Sequence, residues 1–248
     1  MKIDNKNNLL NGEELSAENL HIKGDAHSNS IIEAIHLQID GATYKDSIQF
    51  TRNAKIGIHK GTLRCHNAHI NILDGGEVHA TTADIKSAIS GTIYAQDITI
   101  DKASNNLEII ASNSITINQV DGNHNSFKIN YKDVPIINSK IDLIQDDIEN
   151  LEFSLCEAQK HNLSQVSMIE EKIEEFKNEL KTIKNSTNTA KITIKKTIKE
   201  ENQIIFELNN GEFISFTTQN STYLPFHLEF KNNEIFLKPI NKKLIKNS

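Results

Sequence analysis

Four side chains able to hold a transition metal fall between positions 65 and 79: Cys65, His66, His69 and His79. A zinc site needs three or four nitrogen or sulfur ligands converging on one tetrahedron. The local alternation turns Cys65 inward and carries His66 and His69 around a corner, so the expected arrangement is polar side chains spread over a wall. Asp84, Asp97 and Asp101, with Lys86 and Lys102, form a second candidate set. General acid–base work needs two groups whose pKa values are pushed apart in a cleft, whereas carboxylates spaced along an open wall read as a solvated face. His161, Ser164 and Ser167 are close in sequence but fall at the tip of an expected helical hairpin, where Ser164 should act as an N-cap. The glycines never form a Gly-x-Gly-x-x-Gly run opening a helix, so no phosphate cradle is encoded. No catalytic, cofactor-binding or metal-ligating residue is assigned, and the chain is expected not to be an enzyme.

The elements that carry these residues are set by a repeat. Gly61-Thr62-Leu63-Arg64-Cys65, Gly76-Glu77-Val78-His79-Ala80 and Gly91-Thr92-Ile93-Tyr94-Ala95 begin on evenly spaced glycines. Apolar pairs at i and i+2 recur around them, as in Ile56 and Ile58, Ile70 and Ile72, Ile98 and Ile100, and Ile115 and Ile117. Such pairs put both side chains on one face of a strand, and a fixed period marks a solenoid whose repeats bury their apolar faces only by stacking. Spacing of the strings varies, which argues against a strict hexapeptide coil and for a right-handed parallel β-helix of seven to eight rungs. The small residues Cys65, Ala80, Ala95 and Ala111 are expected where its wall bends. None of the three prolines lies before residue 132, as a region needing its backbone N–H groups for a sheet ladder requires.

Three blocks follow: a parallel β-helix over 1–131, an antiparallel coiled-coil helical hairpin over 132–189, and a short C-terminal β-strand segment over 190–248 that could cap the β-helix. The hairpin reading rests on two seams. Ile137, Ile141, Ile144, Ile148, Leu151 and Leu155 alternate spacings of four and three, and Ile169, Ile173, Phe176, Leu180 and Ile183 repeat the pattern. The third block offers two hairpin turns, at Asn209-Asn210-Gly211 and Asn232-Asn233. It ends in a basic tail with Lys242, Lys243 and Lys246.

Composition narrows the class. Hydrophobic residues make up 37% and aromatics 6%, with no Trp, which is lean for one wide core and suits a narrow aliphatic column. Net charge is −6, so bulk charge does not favour nucleic acid. Two cysteines make no disulfide framework. The polar N-terminus shows no signal-peptide pattern and no stretch is long and apolar enough to span a membrane. A cytoplasmic location is expected.

The block order, carried by the Gly61, Gly76 and Gly91 phrases and by the seam from Ile137 to Ile183, resembles the flagellar assembly protein A family. That resemblance implies a cytoplasmic scaffold or regulator of bacterial flagellar assembly or placement, working through protein partners, with self-association as a further option. It supplies no catalytic residues and no cofactor. A bactofilin-like cytoskeletal protein, polymerising through open solenoid ends, is the alternative. A carbohydrate-active β-helix enzyme is the third class.

Overall fold

The computed structural model describes residues 4–161, 164–186, 189–207, 210–221, 225–231 and 234–240. In chain order it contains β1 (Asp4–Lys6), β2 (Glu14–Ile22), β3 (Ile31–Ala42), β4 (Ile48–His59), β5 (Thr62–Ala103), β6 (Leu107–Val120) and β7 (Ser126–Ile129). A 3-10 turn (Tyr131–Asp133) leads into α1 (Pro135–Lys160) and α2 (Val166–Lys184). The strands β8 (Lys191–Ile198), β9 (Gln203–Glu207), β10 (Phe213–Thr217), β11 (Phe226–Lys231) and β12 (Glu234–Pro239) follow. The chain is mainly β, with a solenoid of about 7 turns and two helices. Neither helix is long and apolar enough to cross a membrane.

The solenoid grows because each strand pairs in parallel with the next turn. Ile22 lies opposite Ile39, Ile39 opposite Ile56 and Ile56 opposite Ile70. Further along, Ile100 lies opposite Ile117 and Ile117 opposite Ile194. These side chains are buried in one continuous aliphatic column. The expected small residues sit at the bend: Cys65 lies opposite Thr51, Ala95 opposite Ala111, and Cys65, Ala80, Ala95 and Ala111 are all buried. Burial pushes the Cys65 thiol up to about 12, so it stays a neutral packing group.

Turn length varies at one corner. The longer turns, at the N-terminal end and again from β5 into β6 and β7, carry a loop there. In the N-terminal turns it is closed by Ser30 Oγ donating to the His27 carbonyl and by Ser47 Oγ donating to the Tyr44 carbonyl, both at 2.6 Å. The shorter turns between them have no room for that loop, and Gly61, Gly76 and Gly91 stack in its place. A Cβ on Gly91 would lie 2.4 Å from the Gly76 carbonyl oxygen, and its φ of +126° already excludes most side chains. The buried His59 seals the same corner. Its Nδ1 pairs with Thr43 Oγ1 at 2.8 Å and its Nε2 with the Glu77 carbonyl at 3.1 Å.

The last full turn is interrupted. β7 pairs with the first part of β6, with Ala111 opposite Ile129. β8 pairs with its second part, starting with Ser114 opposite Lys191. The boundary read at 190 therefore falls between two halves of one rung. β6 crosses this bend with Ser112 and Asn113, and the next rung crosses it with residues 130–190. β9 then stacks on β7 in parallel. At this point the direction reverses: β10 runs antiparallel to β9, and β11 runs antiparallel to β8 and β12. Glu229 ties β11 to its neighbours through Lys191 at 3.2 Å and Lys238 at 2.5 Å. The turn residues Asn209, Asn232 and Asn233, and the tail lysines, lie outside the described residues.

Gly91→Ala should lower stability by at least about 3 kcal/mol, since left-handed strain adds to a backbone clash. Gly12→Ala, with φ +74° but open space around it, should cost only about 1 kcal/mol; thermal melts of the two variants check the ranking. His59 supplies a pH signature. Burial depresses its pKa from 6.5 to about 4, so the unfolded chain takes up the proton first. The His59 contribution should cost stability as pH drops from 6.5 towards 4, by roughly 3 kcal/mol at ~1.4 kcal/mol per unit, and this contribution should level off below. Denaturant titrations from pH 7 to pH 4 should show a flatter slope for His59→Gln than for wild type.

Candidate functional site

The bend between the two long strand segments of each turn carries the functional candidates. Along its first rungs, Ile35, Phe50, Arg52 and His66 face outward and line a shallow groove of about 660 Å3. Ile35 is 45% and Phe50 38% exposed. The Arg64 guanidinium lies over the Phe50 ring, 5.9 Å from its centroid, a cation–π contact. Arg52 and Arg64 are the only arginines in the chain. Sequence inspection alone passes over this patch. Its signal is that both arginines flank Phe50 at positions which stack only once the register is known, Phe50 lying opposite Arg64.

A second, smaller groove of about 310 Å3 lies on the other side of the bend, with His21, His36, Lys55 and His69 among its lining residues. A polar ladder runs beside it. Asn67 Nδ2 donates to Asn53 Oδ1 at 2.8 Å, Asn53 Nδ2 meets His36 Nδ1 at 3.1 Å, and Thr82 Oγ1 donates to Asn67 Oδ1 at 2.8 Å. Asp40 accepts from Gln38 and pairs with His21 at 2.7 and 2.8 Å. The Gln38 bond first, and then His21, hold its carboxyl below the usual range.

The potential metal ligands are not brought together. Cys65 points into the core, His69 pairs with Asp84 at 3.3 Å, and His79 pairs with Glu77 and stacks on Tyr94 with ring centroids 4.9 Å apart. Among the described residues no three His, Cys, Asp or Glu side chains form a group able to hold a metal ion. The other carboxylates are bound by neutral donors. Asp97 accepts from Asn113 and Ser114 at 2.7 and 2.5 Å, and Asp101 accepts from Asn118 at 2.6 Å. These bonds join adjacent turns, so the carboxylates serve the stacking of the wall.

The helix pair leaves the same bend farther up the stack. Its seam residues fall into two clusters. Ile137 is buried with Tyr131, Val134 and Ile110 against the wall, and Ile141 and Ile183 pack on this group together with Tyr94. Beyond that base, Ile144, Ile148 and Ile173 are buried between the helices, with Leu151, Leu155, Ile169, Phe176, Leu180 and Ile183 packed around them. Ion pairs Lys140–Glu179 and Lys177–Glu152, at 2.7 and 2.8 Å, cross from one helix to the other. Exposed pairs of this kind add little stability, so the apolar contact holds the helices together. The expected cap at Ser164 does not form: α2 begins at Val166, preceded by Gln165 without a side-chain cap bond.

Ile144→Asp should separate the two helices, because it buries a charge in their main apolar contact, at a cost of about 3 kcal/mol or more. Circular dichroism should show reduced helix content with the β signal retained.

No protein-family model, no curated protein and no solved structure matches the chain.

Proposed function

We propose that this protein is a non-enzymatic interaction scaffold, in which a rigid right-handed β-helix presents a wall and an antiparallel coiled-coil hairpin projects from it to engage protein partners. One observation carries the reading. Two residues, Ser112 and Asn113, take β6 across a bend that the next rung crosses with residues 130–190. The ladder resumes on the far side in register, with Ile115 opposite Ile192 and Ile117 opposite Ile194. The strand stack therefore makes no geometric demand for the helices, and a projecting pair held by its own seam is suited to contacts outside the solenoid.

The setting is bacterial flagellar assembly or placement in the cytoplasm, on the strength of the resemblance in block order. A bactofilin-like polymer would add parallel rungs at both solenoid ends. The antiparallel strands β10, β11 and β12 stand at one of those ends, which favours the scaffold. The wall carboxylates and imidazoles engaged with one another across turns favour binding over catalysis.

The test replaces residues 130–190 with Ser-Asn, together with Ile110→Thr to remove the apolar side chain that the helix base covers. The variant should keep a cooperative β melt shifted by only a few degrees and lose its helical signal. In the encoding bacterium it should fail to restore motility and flagellar number to a deletion strain. A variant that no longer folds would make the helices a structural cap, and full restoration would remove them from the function.

A further inference from the structure

The outer side of α1 has a composition that the seam does not explain. Asp142, Asp146, Glu149 and Phe153 recur at spacings of four, three and four, which places them in one stripe along the helix. All four are exposed, Phe153 at 72%, and Leu143 beside them at 65%. The apolar positions that face α2 are Ile144, Ile148 and Leu151, so the acidic stripe looks away from the partner helix. Residues 132–190 carry 12 acidic and 7 basic side chains, leaving the arm with an excess of negative charge.

The complement lies on the solenoid. Arg52 lines a shallow groove with the half-exposed Phe50 and Ile35, Arg64 lies over Phe50 at its edge, and Glu33 is the single carboxylate in the lining, so cations outnumber acidic groups beside the apolar surface. Aromatic residues and arginine are the types enriched at the centres of protein interfaces. The arm cannot reach this groove from its own position. It is anchored on Tyr94, Ile110 and Tyr131, three to five rungs, or ~14–24 Å, from β4 at the usual strand spacing, and Ile137 and Ile141 turn the opposite side of α1 from the acidic stripe towards the wall. Its upper cluster packs on no solenoid residue among those described.

We propose that the acidic stripe of α1 docks on the Arg52–Arg64–Phe50 groove of a second copy of this chain. The acidic residues meet the guanidinium groups, and Phe153, which shares their stripe, packs on Phe50 and Ile35. This rests on the reading of the helix pair as an interaction arm and names its occupant. A contact between two different surfaces is heterologous, so it closes into a ring or a reciprocal dimer or extends as a chain.

Light scattering on the full chain, over a range of concentrations at about 50 mM and about 500 mM salt, tests the contact through its screening. The mass should rise above 27.9 kDa with concentration at low salt and return to it at high salt. Arg52→Glu with Arg64→Glu, and separately Asp146→Lys with Glu149→Lys, should each stay monomeric while melting like wild type. Mixing the two variants should restore association, since one supplies an acidic groove and the other a basic arm. A wild-type mass that stays at the monomer value under every condition overturns the proposal, as does association that survives both pairs of substitutions. Loss of association in the 130–190 replacement, with the arginine variants unaffected, would keep the arm and overturn the groove. If the arginine variants fail to fold, the arm variants alone decide, because their changes are confined to exposed helix positions.

Discussion

A parallel strand that ends a solenoid turn has no partner until the next turn supplies one, and everything else in this protein depends on that dependence. Buried backbone N–H and C=O groups must be paired, and here the pairing is between turns. The register then dictates the side chains. Ile22, Ile39, Ile56 and Ile70 share a column because their backbones are in register, and a change of residue type at any level is felt by the levels on both sides. Each turn adds a few buried side chains to the column, such as Ile93, Ala95, Ile98 and Ile100, so its stability accumulates turn by turn.

This constraint explains where variation is tolerated. Corners are where a turn can lengthen without disturbing the ladder. One corner loses its loop and substitutes stacked glycines, where Gly91 has room for no side chain beside Gly76. The bend admits a much larger change, from Ser112 and Asn113 in one rung to residues 130–190 in the next, and the strands on either side keep their pairing. The helix pair is thus joined to the fold by the wall contacts at its base and otherwise sustained by its own seam. A long element held this way is free to evolve its outer face, and in α1 that face is acidic with the exposed Phe153 in the same stripe.

The end of the stack shows the cost of the same rule. An exposed parallel edge invites further pairing. The chain answers at the C-terminal end by reversing direction, so β10, β11 and β12 run antiparallel to what they cover. Phe206 and Phe226 are buried in the same continuous core as the isoleucines, which makes these strands part of the solenoid's closure.

The sequence by itself determined the periodic elements. Alternating Ile pairs and the evenly spaced Gly61, Gly76 and Gly91 are local patterns, and so are the four-three spacings of the helix seams. Each follows from the geometry of one strand or helix, without reference to a distant residue. The tertiary structure alone decided how these pieces were joined. Whether Lys191–Ile198 begins a new unit or completes the rung opened by Ser126–Ile129 depends on hydrogen bonds to β6, far away along the chain. The grouping of Phe50 with Arg64, the dispersal of Cys65, His69 and His79 into separate contacts, and the pairing of Asp97 with Asn113 and Ser114 were likewise decided there. They depend on which residues a longer or a shorter turn brings level, and that length is fixed at the corners, where no periodic pattern reaches.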